Sequence, residues 1–224
     1  MDLPTEITQD LAIARQAVPR WAAPRLQHRL KLFLDEALAS VLLVLTSPLL
    51  LLAMAAVRLT SRGPAIYRQP RIGYRCEPFA MYKLRTMRLG AEQEEARILE
   101  ENPGLTFVKL HEDPRVTRVG RFLRRTSLDE LPQLVNVLRG EMSLVGPRPI
   151  LLNDFRRFPR GEQLRRFAVL PGMTGLWQVS GRSLTTEEER LRLDLEYVER
   201  WSLARDVKIL LRTLPAVFGG RGAT

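Results

Sequence analysis

The chain has 224 residues, 45% of them hydrophobic, which is enough for one domain with a core of its own. Its formal net charge of +10 indicates an anionic partner such as nucleic acid, phospholipid headgroups or a phosphorylated substrate, while the 7% aromatic content argues against a surface that stacks single-stranded bases. The single cysteine, Cys76, rules out an intrachain disulfide, and with two histidines a zinc site is not expected, so any metal should be a hard cation such as Mg²⁺ held by carboxylates.

Residues 1–28 are polar to mixed in character and are interrupted by prolines. Ile7, Leu11 and Val18 fall at helical spacing, which favours a short amphipathic helix. No apolar run precedes a cleavage site, so the segment does not resemble a signal peptide. We expect it to form an arm on the surface.

Residues 29–60 contain the most apolar stretch, the twenty-one uncharged residues from Ala37 to Val57. A helix of that length is about 31 Å long and is sufficient to cross a bilayer. Pro48 falls at its midpoint, where it removes a backbone hydrogen bond and kinks the helix, and Ser47 can bond a freed carbonyl. Because basic residues flank both ends, the positive-inside rule gives no orientation, and a spanning and a re-entrant helix stay about equally open.

The sequence after Gly63-Pro64 changes to short alternating runs. Residues 65–67 and 79–85 are typical of strands joined through residues 71–74. Lys83 and Arg85 lie two residues apart in the second strand and so share a face, which is either solvated surface or a clamp for phosphate.

Two adjacent carboxylates follow three arginines that share one helix face, Arg121, Arg124 and Arg125. Like charges so placed repel each other unless an anion lies among them. The carboxylates are Asp129 and Glu130, and acid beside clustered arginine suits chemistry on a phosphate diester. Ser127-x-x-Glu130 is also the pattern of a capping box, in which the serine caps a helix and the glutamate reaches back. The residues alone leave the helix start and the functional site equally open.

Arg148 is presented by the rigid turn Gly146-Pro147-Arg148-Pro149. Further along, Asp194 falls on the apolar stripe of the helix expected over residues 187–201, and a carboxylate on a buried face needs an arginine or a metal as partner. Arg182, in the preceding loop, is a candidate partner. A structural ion pair and a substrate contact explain Asp194 equally well.

The last helix carries an apolar stripe that includes Val207, Leu211 and Leu214. Such a stripe packs on the core or lies at a membrane surface. Core packing is the commoner outcome, and we expect it here.

These residues together resemble the bacterial sugar transferase family, the small monotopic phosphoglycosyl transferases that start exopolysaccharide, O-antigen and glycoprotein glycan assembly. The central motif runs S-L-D-E-L-P-Q-L from Ser127 to Leu134 and closes on V-G-P-R-P from Val145 to Pro149. The resemblance covers roughly residues 29 to 223. Other matching stretches lie at residues 47–48, 69–73, 82–87, 113–117, 171–175 and 206–210.

The resemblance implies a transfer in two steps. Asp129 would attack the β-phosphorus of a nucleotide-diphosphate sugar, above all a UDP-sugar, and expel UMP. The phosphosugar-aspartyl intermediate would then pass sugar-1-phosphate to a polyprenyl phosphate such as undecaprenyl phosphate. Glu130 would hold Mg²⁺, which neutralises the diphosphate. The expected substrate-binding residues are Lys83, Arg85, Arg124, Arg148, Arg182 and Asp194.

The implied fold is α+β and mostly helical. A re-entrant membrane helix over residues 29–60, bent at Ser47-Pro48, would precede a compact cytoplasmic catalytic domain over residues 61–224, with a small β element and amphipathic interfacial helices. The location would be the bacterial inner (cytoplasmic) membrane, with the catalytic domain on the cytoplasmic face. Expected partners are a UDP-sugar, undecaprenyl phosphate and the lipid bilayer, without nucleic acid, and a homodimer is left open.

Two other classes of function compete with this interpretation. A membrane-tethered nucleic-acid-binding protein would need a recognition helix or stacking aromatic residues, which the sequence does not offer. A non-catalytic scaffold for polysaccharide assembly would tolerate the loss of Asp129. No motif indicates which sugar is transferred.

Overall fold

The structure is a computed structural model that describes residues 5–19, 21, 24–101, 113–155, 161–181 and 186–218. These residues form a mostly helical protein with two small β-sheets, as the α+β prediction requires. The helices are α1 Thr5–Ala17, α2 Arg25–Thr60, α3 Ala91–Glu101, α4 Arg118–Arg125, α5 Gln133–Leu138, α6 Leu152–Phe155, α7 Leu176–Val179, α8 Glu187–Glu199 and α9 Leu203–Phe218. The strands are β1 Ile66–Ile72, β2 Pro78–Leu84, β3 Ser143–Val145, β4 Ile150–Leu151 and β5 Gly172–Thr174. Short 3-10 helices cover Tyr74–Cys76, Leu128–Glu130 and Glu162–Ala168.

α2 is a helix of 36 residues that contains the whole apolar stretch and continues through Pro48. Its length and hydropathy are sufficient to cross a membrane, and only 11% of its most apolar window is buried inside the protein. Because Pro48 has no N–H, the carbonyl of Val44 lacks its usual partner, and Ser47 Oγ donates to that carbonyl at 2.8 Å. The role predicted for Ser47 is therefore confirmed. The re-entrant bend stays a prediction.

One stripe of α2 faces the rest of the protein, and its buried members are Lys31, Asp35, Ala39, Ala53 and Val57. Lys31 Nζ lies 2.7 Å from Asp206 Oδ2 and donates to the carbonyl of Val145 at 3.2 Å. Large apolar side chains on the other faces are exposed, such as Val44 and Leu45, both at 71%. A helix that exposes this much apolar surface needs an apolar environment.

The N-terminal segment is packed more closely than the expected surface arm. α1 follows the predicted helical spacing, and Ile7, Leu11 and Val18 are buried. They join a hydrophobic cluster that includes Ile72 of β1 and Phe167. The predicted helix is confirmed, but its apolar side belongs to the core.

The strands form one antiparallel and one parallel sheet. In the antiparallel sheet the order is β2-β1-β4, with Tyr67 opposite Lys83. The two strands predicted from alternation are therefore confirmed, although β1 is longer than expected and the 3-10 helix Tyr74–Cys76 makes the connection. β3 and β5 pair in parallel, with Ser143 opposite Gly172.

Gly146 and Gly172 allow β3 and β5 to approach closely beside the turn that carries Arg148. A Cβ on Gly146 would lie 2.5 Å from the carbonyl oxygen of Leu170, so no larger residue fits. The Gly172 N–H donates to the carbonyl of Pro147 at 2.8 Å. The parallel pair thereby fixes the start of this turn.

α8 buries the face on which its apolar spacing places Asp194, and Val198 and Trp201 of the same stripe pack against the core, whereas α9 buries a different face from its apolar stripe. α8 buries Asp194 and Tyr197, and α9 buries Asp206 and Ile209. The apolar stripe of α9 is instead 56–64% exposed at Val207, Leu211 and Leu214. The prediction that this stripe packs on the core is therefore wrong.

Candidate active site

The acidic pair lies in the single 3-10 turn Leu128–Glu130, between α4 and α5. Ser127, which precedes it, has a left-handed φ of 56°, and its side chain makes no capping hydrogen bond. The capping-box interpretation of these residues is therefore wrong. A capping box does occur at the start of α8, between Thr186 and Glu189.

Glu130 binds cations from two other elements. Its Oε1 accepts hydrogen bonds from Lys83 Nζ at 3.3 Å and from an Arg148 terminal nitrogen at 3.1 Å. Lys83 stands near the end of β2, and Arg148 lies in the turn after β3. Burial alone would raise the pKa of Glu130, but the charges and hydrogen bonds of Arg148 and Lys83 lower it to about 2. Glu130 is therefore an anion that gathers these two cations.

Asp129 is buried, with 9% of its surface exposed. Burial raises the pKa of its carboxyl to about 6, and the charge of Glu130 adds to this rise. Three nearby cations act in the opposite direction: Lys83, Arg124 and Arg148. Among the described residues, no hydrogen bond or ion pair engages the Asp129 carboxylate. Its oxygens thus have no bonded partner in the part of the chain that the structure describes, and they lie near a cluster of positive charge.

The three arginines predicted to share one face of α4, Arg121, Arg124 and Arg125, do not act as one cluster. Arg124 Nε donates to Thr86 Oγ1 at 2.9 Å, and the charge of Arg124 reaches Asp129. Arg121 and Arg125 are exposed. Only Arg124 is brought to the acidic turn.

Lys83 and Arg85, predicted to share a strand face, have different surroundings. Lys83 bonds the acidic turn, whereas Arg85 is 7% exposed and binds the C-terminal end of α2. Its guanidinium donates to the carbonyls of Ser61 at 2.8 Å, Gly63 at 3.3 Å and Arg62. Arg85 thus joins β2 to α2.

Asp194 has the cationic partner that its burial requires. Arg166, from the 3-10 helix Glu162–Ala168, places a terminal nitrogen 2.6 Å from Asp194 Oδ2. Asp194 is 1% exposed. Arg182, the candidate partner from the sequence, lies outside the described residues.

Two arginines that no single pattern singled out also border the turn after β3. Arg166 donates to the carbonyl of Arg148 at 2.9 Å, and Arg71 donates to that of Pro149 at 3.0 Å. Burial and then the charge of Arg148 lower the pKa of Arg71 to about 9. Arg71 falls within a stretch that matches the family, so a signal for it existed. Nothing in the local sequence separates Arg166 from its exposed neighbour Arg165.

The donor set suits one Mg²⁺ that is held jointly with a substrate. Among the described residues, no three His, Cys, Asp or Glu side chains form a group that encloses a metal ion. Lys83 and Arg148 both bind Oε1 of Glu130, which leaves Oε2 without a partner in the part of the chain that the structure describes. In phosphate-transfer sites Mg²⁺ takes one or two carboxylates and completes its shell with phosphate oxygens and water. Glu130 fits that requirement.

A comparison with known families shows to which family the chain belongs. The model of the bacterial sugar transferase family matches residues 26–220. The chain belongs to this family.

Among the relatives in this family, galactosyl transferase CpsE of Streptococcus agalactiae is 43% identical over 196 residues. Exopolysaccharide production protein ExoY of Sinorhizobium fredii is 40% identical over 194 residues. The UDP-glucose:undecaprenyl-phosphate glucose-1-phosphate transferase of Caulobacter vibrioides is 45% identical over 194 residues. The three matches cover 86%, 84% and 84% of this chain but 43%, 85% and 69% of the respective relatives. The chain therefore spans most of ExoY and less than half of CpsE.

Proposed function

We propose that the protein is a phosphoglycosyl transferase that moves sugar-1-phosphate from a UDP-sugar to undecaprenyl phosphate and releases UMP. The name of the Caulobacter relative supports both substrates. The observation that carries the proposal is Asp129, a buried carboxylate to which no described residue is bonded and which lies beside the cluster of Glu130, Lys83 and Arg148. This combination is what an attack on a phosphate diester by a carboxylate requires.

In the first step an Asp129 oxygen attacks the β-phosphorus of the UDP-sugar. A phosphorus–oxygen bond to the carboxylate forms, and the bond between the β-phosphorus and the bridging oxygen breaks. UMP leaves with that electron pair, and sugar phosphate remains on Asp129 as an acyl phosphate. Burial of Asp129 removes water that would otherwise solvate the attacking carboxylate.

In the second step an oxygen of undecaprenyl phosphate attacks the same phosphorus. The bond to Asp129 breaks, and its electron pair restores the carboxylate. The product is a diphosphate that joins the polyprenyl chain to the sugar. The enzyme returns to its starting state without an external oxidant or reductant.

The cations around the acidic turn hold the diphosphate in place. Arg148 presents a planar fork that matches phosphate oxygens, and Lys83 supplies a compact positive charge. Arg124 adds positive charge near Asp129. Mg²⁺ bound at Glu130 would offset further negative charge on the diphosphate.

The other predicted substrate-binding residues make no bond to the 3-10 turn Leu128–Glu130, or they lie outside the residues that the structure describes. Arg85 is engaged with the carbonyls that follow α2, and we assign it a structural role in holding the end of β2 to that segment. Arg182 stays a predicted contact. Asp194 lies behind Arg148 and is too buried to face a bound nucleotide.

The membrane is the proposed setting because the acceptor is a lipid. The exposed apolar residues of α2 support its insertion, and the exposed stripe of α9 supports contact with the interface. On α4, Phe122 is 60% exposed among basic residues, which suits lipid headgroups. We place α2 in the bacterial inner membrane as a re-entrant helix, with the remaining chain on the cytoplasmic face.

The direct test measures UMP release by the full chain in detergent. The reaction contains Mg²⁺, undecaprenyl phosphate and each of a panel of UDP-sugars that begins with UDP-glucose and UDP-galactose. We expect one donor to give UMP, Asp129→Asn to abolish the release, and Glu199→Gln, which changes an exposed carboxylate in the same way, to leave it intact.

Two results of this assay would contradict the proposal. Full UMP release by Asp129→Asn would exclude Asp129 as the nucleophile, and the reaction would then follow a different mechanism. An absence of UMP with every donor would favour a non-catalytic scaffold.

A further inference from the structure

A buried ion pair lies directly behind the turn that presents Arg148. Arg166 and Asp194 are 8% and 1% exposed, and 2.6 Å separates their nearest atoms. The same terminal nitrogen of Arg166 also donates to the carbonyl of Arg148 at 2.9 Å. Its two hydrogens therefore connect a carboxylate on α8 to the backbone of the turn.

Arg148 is held from both of its ends. Its carbonyl accepts the bond from Arg166, and a terminal nitrogen of its side chain donates to Glu130 Oε1 at 3.1 Å. The next carbonyl, that of Pro149, accepts a bond from Arg71 at 3.0 Å. Because Pro147 and Pro149 also restrict the backbone, the direction of the Arg148 side chain depends on how these carbonyls are held.

A substrate contact does not explain Asp194. Its Oδ2 is bonded to Arg166, and the residue is almost fully buried, so a soluble nucleotide cannot reach it without displacing packed side chains. A structural ion pair alone explains the pairing but not the second bond to Arg148. Buried ion pairs are often replaceable by apolar residues without loss of stability. A specific task for the pair can therefore be separated from stability by experiment.

We propose that Arg166 is a positioning residue, neutralised by Asp194, which holds the carbonyl of Arg148 and thereby aims the Arg148 guanidinium at Glu130 and the bound diphosphate. This inference rests on the proposed transferase function. It assigns Asp194 to the support of Arg148, and it adds Arg166 to the residues on which turnover depends.

The test is a double-mutant cycle measured as UMP release under the conditions given above. Arg166→Met with Asp194→Leu removes both charges together, so no lone buried charge is left. The matched control is Arg165→Met with Glu199→Leu, because this pair joins the same two elements at 2.9 Å but is about half exposed. Both double variants are made in the wild type and in Arg148→Lys, and folding is checked by thermal unfolding.

If Arg166 acts through Arg148, the buried double variant lowers kcat/KM roughly 10- to 100-fold in the wild type. It has little further effect in the Arg148→Lys background, since the group that it positions is already altered. The control pair leaves kcat/KM unchanged in both backgrounds. Unchanged turnover in the buried double variant, or an equal loss in both backgrounds, overturns the proposal.

A second variant covers the case in which the neutral pair fails to fold. Arg166→Lys keeps the charge beside Asp194 but loses the guanidinium geometry. We expect it to lower kcat/KM in the wild type and not in Arg148→Lys, and equal losses again overturn the positioning role. A wild type that releases no UMP refutes the proposed function instead, so the two failures are distinguishable.

Discussion

Asp129 and Glu130 are neighbours in sequence that lie near the same cations, but among the described residues only Glu130 is hydrogen-bonded to them. Successive residues of a 3-10 turn point about 120° apart, so the two carboxylates leave the turn in different directions. Glu130 faces Lys83 and Arg148, which lower its pKa to about 2, while burial raises the pKa of Asp129 to about 6. The proposed separation of roles, in which Glu130 binds cations and Asp129 reacts, rests on this difference.

Lys83 and Arg85 provide a matched pair of substitutions at this scale. We expect Lys83→Met to lower UMP release about 100- to 1,000-fold with little change in thermal stability, because Lys83 faces the reacting groups. Arg85→Met should instead lower the free energy of unfolding by about 2 kcal/mol, because the carbonyls at the end of α2 lose a charged donor. Thermal unfolding and UMP release of the two purified variants make the comparison.

Each variant of this pair serves as the control for the other. The opposite pattern, in which Arg85→Met folds normally but is inactive, would place Arg85 in the substrate site. It would also restore the phosphate clamp that the shared strand face suggested.

At the scale of single elements, regular patterns predicted structure well and local motifs did less well. Patterns between residues that are close in sequence predicted three features correctly. These are the length of α2, the bond from Ser47 and the pairing of β1 with β2. The predicted capping box at Ser127 does not form, because Glu130 is hydrogen-bonded to the cations Lys83 and Arg148 and not to the backbone at the start of the turn. The prediction that the apolar stripe of α9 packs on the core was wrong, because spacing identifies an apolar face but does not say what covers it.

The re-entrant path of α2 is tested by single cysteines near its two ends. Leu26 and Leu59 are 79% and 87% exposed, so Leu26→Cys and Leu59→Cys are accessible to a reagent. A re-entrant helix predicts that a membrane-impermeant maleimide labels both from the same side of sealed vesicles. Labelling from opposite sides would contradict it and would establish a spanning helix.

Cys76 does not need to be replaced in this experiment. It is fully buried, and burial raises the pKa of its thiol to about 12, so it is neither accessible nor ionised at neutral pH. The unmodified chain, labelled with and without denaturant, is the control.

At the scale of the whole molecule, the site is assembled from segments that lie far apart in sequence. The bond between Lys83 and Glu130 joins residues 47 positions apart, and that between Arg166 and Asp194 joins residues 28 positions apart. The family resemblance identified most of these residues but not how they are arranged in space. Arg166 was missed because its role exists only once the 3-10 helix Glu162–Ala168, α8 and the turn after β3 are in contact.

Mg²⁺ removal tests how this assembly handles the charge of the diphosphate. Among the described residues Glu130 offers one free carboxylate oxygen, so the metal should be held weakly without substrate. We expect a chelator to abolish UMP release and added Mg²⁺ to restore it, with Glu130→Gln inactive at every Mg²⁺ concentration. Release that is insensitive to the chelator would contradict the metal-binding role of Glu130.

The most direct test of the account is the intact mass of the protein after incubation with its UDP-sugar and Mg²⁺ in the absence of acceptor. Attack by Asp129 predicts at most one UMP released per chain and a mass increase equal to one sugar-1-phosphate less one water. The increase should map to the peptide that contains Asp129, disappear on addition of undecaprenyl phosphate and be absent in Asp129→Asn. Efficient turnover with acceptor but no adduct and no UMP without it would contradict the covalent step.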